Sequence, residues 1–371
     1  MKKLLPYYSK TALTLLAGLT LSLGSCKKDD DNDFTQPEIS STKGVYMLCE
    51  GGWHEGNGDI TYYNINTGTT EVKYYKKVNG TNLGETANDL QRYGSKMYCV
   101  VTGQEGQAQS FVDVMDVATC KTIKRISFNT SSTNGTMPRS IVFYQNKAYV
   151  SRYDGKVSRI DTGSLAIEAD VTLSPGLEGM AVANGKLYVA NSANSGYPGK
   201  QNVVSVIDLG TFTKKTDIVV NKNPVKIAAA SNGDLFVVTW YDFATGNPAS
   251  LDCISSVTDT KTATYPYDLG TITINNNKAY VSKDIYSNPS INPLNLTGTL
   301  GNTFIADGTK INNINGLTVN GFNNDVYVGD AVGYSSTSGK AYCFSADGKI
   351  KFSFNTAGNP KTAVFIYNYK Q

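Results

Sequence analysis

Histidine is almost missing from this chain: His54 is the only one in 371 residues. That excludes a multi-histidine metal centre, and any Ser-His-Asp or Cys-His catalysis would have to run through a single imidazole. Tryptophan is nearly as scarce, with Trp53 and Trp240 alone. Charged residues make up 18% of the chain and net charge is only +3, with both signs mixed along its length. No basic stripe suited to nucleic acid appears. What is plentiful points elsewhere. Thirty-five glycines, 24 tyrosines and 13 phenylalanines are the profile of many short strands and turns. Hydrophobic content of 40% suffices for a core. The length would hold two or three average domains, so a single domain must be large or repetitive.

The N-terminus reads as an export signal, residues 1–25. Lys2 and Lys3 precede the apolar stretch Thr11 to Leu23, which is too short to cross ~30 Å of hydrocarbon as a helix. It ends in Leu23-Gly24-Ser25-Cys26, which resembles a bacterial lipobox and makes Cys26 the expected lipidation site. The alternative is ordinary signal cleavage with Cys26 structural. The run from Lys27 to Asp33 is too polar to pack, so residues 26–42 are expected to form a lipidated, solvated tether. Five further cysteines, Cys49, Cys99, Cys120, Cys253 and Cys343, contain no Cys-x-x-Cys pair. Four of them sit in apolar strand patterns, which favours buried free thiols over a disulfide framework.

Internal repetition is the strongest signal. A turn followed by a short aromatic strand recurs seven times, with anchors at Tyr46, Tyr98, Tyr149, Tyr188, Phe236, Tyr280 and Tyr327. The mean interval near 47 residues is the length of a four-stranded propeller blade. Upstream of an anchor lies a strand often opened by proline (Pro138, Pro224), and proline is tolerated at a strand's first residue. Asn-Gly or Asn-Lys follows, supplying the positive φ of a tight hairpin. Downstream, a strand ends in Asp116, Asp161, Asp208 or Asn64. An Asx turn explains these side chains better than a metal site. The unit between Asp284 and Asn315 fits the pattern least. Pro360 opens a last inner strand with no anchor after it, whereas the strand Gly44 to Cys49 has no inner strand before it. The C-terminal strand therefore completes the first blade. Residues 43–371 are predicted to be all-β, a single seven-bladed β-propeller.

Ligands of this fold usually meet the face made by the loops between second and third strands and between blades. On that analogy, the candidate ligand-binding residues are Trp53, His54, Arg152, Tyr153, Tyr197, Trp240, Tyr241, Asp284, Tyr286 and Tyr334. Exposing large rings to water has no folding benefit. Their convergence suggests an aromatic floor ringed by amides and hydroxyls, suited to a large planar ligand such as a sugar or a tetrapyrrole-like macrocycle. For each ring taken alone, local capping of a blade edge is the competing reading. No catalytic constellation stands out and no metal or cofactor is implied. Glycan hydrolysis would need two facing carboxylates, and among the loop acids Glu50, Glu55, Glu105, Asp154, Asp242, Asp284 and Asp330 none is singled out.

The opening Gly44 to Trp53, with Gly56-Asn57-Gly58-Asp59-Ile60-Thr61-Tyr62-Tyr63, resembles the lipid-anchored seven-bladed propellers of Bacteroides cell surfaces, the YncE-like or YVTN-repeat group. The acidic cluster behind Cys26 resembles the signal that sends such lipoproteins to the outer face of the outer membrane. Within the group the chain is most similar to the BtuG-type lipoproteins. That resemblance implies capture of cobalamin (vitamin B12) or another corrinoid, delivered to a TonB-dependent outer-membrane transporter. It leaves open whether His54 ligates cobalt or is a solvated hydrogen-bonding residue. Glycan binding or degradation, and an adhesive or structural role, are the alternatives.

Overall fold

A computed structural model describes residues 38–52, 54–192, 198–275, 277–285, 287–333 and 337–370. The expected signal peptide and Cys26 lie outside them. Seven antiparallel sheets account for nearly all of the secondary structure. Blade 1 pairs Pro360–Tyr369 with Ile39–Cys49, Asp59–Asn64 and Thr69–Glu71, so the C-terminal strand closes the first blade from the axis side. Blades 2 to 7 span residues 87–127, 138–172, 177–219, 224–265, 269–293 and 314–357. Each innermost strand packs on the next, from Ala87–Tyr93 round to Pro360–Tyr369 and back. The result is a seven-bladed β-propeller.

The repeated residues do what their chemistry requires. All seven aromatic anchors lie on the second strand of a blade and are 5% exposed or less. The core forms between blades: Tyr98, Val100 and Val114 of blade 2 pack with Ile141, Ala148 and Val150 of blade 3. The first hairpin turns take positive φ at Asn146, Asn184, Gly233, Asn277 and Asn324. Asp116 accepts from the Thr119 amide at 2.9 Å, Asp161 from Ser164 at 2.7 Å and Asp208 from Thr211 at 2.8 Å. Asn64 does the same for Asn66 at 3.0 Å. These are the Asx turns expected of the repeat. The five cysteines within the described residues are buried and unbridged, and burial pushes the Cys49 thiol up to about 12.

Two details depart from the regular pattern. The strand of blade 1 begins at Ile39, inside the segment expected to be tether. Ile39 pairs with Tyr369 there, and Asn368 donates to the Ser41 hydroxyl at 2.9 Å. Blade 6 has three strands rather than four. After Ser290–Pro293 the chain carries Gly298, Gly301 and Gly308, which do not sustain a ladder. Phe304 and Ile311 from this stretch bury themselves against blade 7 in place of strand side chains.

Candidate functional site

The seven innermost strands surround an axial cavity of about 890 Å³. Every one of those strands carries the same irregularity near its start: one extra residue opposite the second strand. It falls at Asn88, Arg139, Glu178–Gly179, Val225, Gly270–Thr271, Asn315 and Lys361–Thr362. A bulge leaves its extra residue unpaired and re-aims its side chain. Here it releases a collar of polar side chains into the channel mouth. Close approach of the strands depends on small residues. A Cβ on Gly316 would sit 1.7 Å from the Lys361 carbonyl oxygen.

The collar is wired from blade to blade. Asn315 donates to the Pro360 carbonyl at 3.2 Å, and the Lys361 ammonium donates to Asn88 Oδ1 at 2.7 Å. Asn88 Nδ2 donates to the Arg139 carbonyl, and the Arg139 guanidinium pairs with Glu178 at 3.1 Å. Tyr153 donates its hydroxyl to Glu178, and the Arg139 guanidinium lies 4.9 Å from the centroid of the Tyr153 ring. Burial works against the Arg139 charge, but Glu178 outweighs it and holds the guanidinium protonated beyond its ordinary range. Lys361 also faces Glu50 at 3.4 Å. Lys226 behaves differently: burial first, then the Lys361 charge, push its ammonium down to about 8.

Above the collar stands the aromatic loop of blade 5. Trp240 is 40% exposed, lines the cavity, and donates Nε1 to the Gly270 carbonyl at 3.1 Å. That bond spans blades 5 and 6 and fixes the indole. Tyr241 and Phe243 follow in edge-to-face contact at 4.9 Å, with Phe243 87% exposed. Asp242 closes the turn by accepting from the Ala244 amide at 3.1 Å.

The other residues expected at the site fall in several places. Trp53, Tyr197, Tyr286 and Tyr334 lie outside the described residues. The loop that bears Trp53 leaves the cavity wall at Glu50. His54 has φ near 62°, and its backbone amide donates to Glu85 Oε1 at 3.0 Å. Arg152 is buried within blade 3, bonded to Ser158 at 2.9 Å, to Asp170 at 3.2 Å and to Asp154; the structure puts it in the blade rather than on the cavity wall. Tyr153 meets the cavity wall through Glu178 and Arg139. Asp284 pairs with the adjacent Lys283, and its neighbour Ile285 lines the cavity.

The collar residues Arg139, Glu178, Lys226 and Lys361 are not among the site residues expected from the sequence. A signal existed: a basic residue stands one or two places after each strand-opening proline, in Pro138-Arg139, Pro224-Val225-Lys226 and Pro360-Lys361. Among the described residues, no cluster of three or more histidine, cysteine or acidic side chains could hold a metal.

Fold and site together define a β-propeller whose axial cavity has a mixed polar and apolar wall, with an aromatic loop on one side. Residues 43–367 match the family model DUF5074, a domain of unknown function, and the chain belongs to that family. Among solved structures it is similar to a hypothetical selenium-binding protein from Sulfolobus tokodaii, with a TM-score of 0.62 and 11% identity over 87% of this chain and 93% of that one. A putative 6-phosphogluconolactonase from Bacteroides uniformis matches with a TM-score of 0.60 and 11% identity, over 87% of this chain and all of the other. Hydrazine synthase of Kuenenia stuttgartiensis matches with a TM-score of 0.53 and 13% identity, over 67% of this chain and 74% of that one. At such identities the likeness is one of fold alone. No curated protein sequence matches this chain.

Proposed function

We propose that this chain is a non-catalytic capture protein. A broad macrocycle fringed with amides, of the corrinoid class and cobalamin foremost, lies across the channel mouth and is handed on to a TonB-dependent outer-membrane transporter. A lipid on Cys26 would hold the propeller on the outer face of the outer membrane. The observation that carries this reading is Trp240, a half-exposed indole fixed by its own hydrogen bond on the wall of a cavity with a polar collar. A ring already held in place binds a flat ligand with little loss of side-chain freedom. Asn313 and Asn315 line the cavity and offer carboxamide groups to such a ligand.

The test is a titration of the purified protein with cyanocobalamin, followed by heat release and indole fluorescence. Trp240→Ala is expected to weaken capture by about ten- to a hundredfold, the worth of one central aromatic contact. The melting temperature should barely move, because the side chain is 40% exposed. Absence of binding at micromolar ligand overturns the corrinoid assignment, and selective retention of an oligosaccharide instead would install the glycan reading.

A further inference from the structure

The hydrogen-bonded circuit of the collar runs from blade 7 through blades 1, 2 and 3 to blade 4, and breaks at blade 5. There Lys226 lines the cavity, and among the described residues it donates no hydrogen bond and joins no ion pair. The side chain is half-buried, and the three donors of its ammonium meet no protein acceptor among these residues. The charged groups that act on it come from blades 1 to 4: Lys361 and Arg139 repel it, while Glu178 and Asp89 attract it. Both carboxylates are engaged elsewhere. Glu178 holds Arg139 and Tyr153, and Asp89 accepts from the Ile141 amide at 3.0 Å and from the Ser140 hydroxyl at 3.2 Å. On its other flank the wall of blade 6, Gly270 to Asn275 with Ile285, carries no charged side chain, and the Gly270 carbonyl is taken by the Trp240 indole.

We propose that Lys226 is an anion-docking group: it takes a carboxylate or phosphate oxygen of a ligand in the axial cavity. The anionic group closes the broken circuit by giving the free ammonium its acceptor, and Lys361 adds a second positive charge. The inference rests on the channel being the ligand site and not on the ligand being a corrinoid.

The test uses the full chain with inorganic phosphate in one arm and acetate in the other, at constant ionic strength and pH 7. Acylation of Lys226 by an amine-reactive ester is followed by peptide mass, with exposed Lys278 as the internal reference. Saturable protection of Lys226 but not Lys278 is the expected result. Protection by phosphate alone assigns a phosphate-bearing ligand, and by acetate alone a carboxylate. Lys226→Met should weaken the phosphate-induced rise in melting temperature by about tenfold in midpoint concentration, and Lys226→Arg should keep it. No protection by either anion, or an undiminished phosphate response in Lys226→Met, overturns the proposal. If cyanocobalamin fails to bind while phosphate still protects Lys226, the corrinoid reading falls and the anion site stands; in the reverse case the anion site falls alone.

Discussion

The pair Arg139–Glu178 joins blade 3 to blade 4 at the channel wall, with side chains 19% and 13% exposed and 3.1 Å apart. Replacing Glu178 with leucine would strand the guanidinium beside the Tyr153 ring with its main acceptor gone. Breaking a buried pair from one side costs about 3–5 kcal/mol. Water in the channel reaches both side chains, so the lower figure, about 3 kcal/mol, applies here. Removing both charges in Arg139→Met/Glu178→Leu leaves no orphaned ion, and a loss of about 1 kcal/mol is expected from imperfect packing. The double variant should therefore be more stable than Glu178→Leu alone. Urea unfolding of the wild type, both single variants and the double variant measures this directly, provided the slope of the transition stays constant. Single-variant losses that add to within ~0.5 kcal/mol would refute the coupling and reduce the pair to an ordinary solvated contact.

Gly316→Ala places a Cβ 1.7 Å from the Lys361 carbonyl. It should cost about 1–3 kcal/mol or more by pushing the closing strand outward, while Gly210→Ala, whose nearest neighbour is Asp208 Oδ1 at 3.4 Å, should melt within a degree or two of wild type. Burial would raise the Asp217 carboxyl, but Lys200, Lys214 and the Ser205 hydroxyl hold it down to about 2. Its folded value thus lies below the unfolded value of about 3.9, so its stabilisation is complete above pH 4 and is lost as pH falls through 2. Asp217→Asn should accordingly lose its stability deficit over that window in acid-unfolding curves. Lys226 shows the opposite effect. Its folded value near 8 lies below the unfolded value of about 10.4, so the charged ammonium destabilises the fold below pH 8 and the penalty fades toward pH 10.5. Lys226→Met should gain about 1 kcal/mol at pH 7, after discounting for channel water, and a lower melting temperature in that variant would contradict the assignment.

The ring was legible because its signals repeat. Seven aromatic anchors, the turn asparagines and the capping aspartates each recur at the same place in the unit, so noise at one copy is corrected by the others. Closure was legible for a similar reason: Pro360 opens an inner strand that lacks its anchor, and Tyr46 is an anchor without its inner strand. The collar left only a faint mark, the basic residue that follows each strand-opening proline, because a bulge is a relation between two strands. Arg152 was read from its place in the chain, which does not show its partners. Its position in the second-to-third-strand turn suggested the binding face, but Asp154, Ser158 and Asp170 from its own blade supply every partner it needs. The missing fourth strand of blade 6 was foreshadowed only as a poor match to the repeat.

The bulge explains how a symmetric fold can carry an asymmetric site. Pairing fixes the side chains of each blade to one face or the other, and substitutions there disturb the packing between blades. The single extra residue of each innermost strand escapes that constraint, so its identity can vary without cost to the ladder. Five blades place Asn315, Lys361, Asn88, Arg139 and Glu178 there and bind them to one another. The next two place Val225 and Gly270 there, leaving Lys226 without a protein acceptor beneath a fixed indole. A sector that departs from its own repeat, exposes an aromatic ring and holds a cation at a cost in stability is poorly explained by folding alone. The proposed ligand site would account for all three features together.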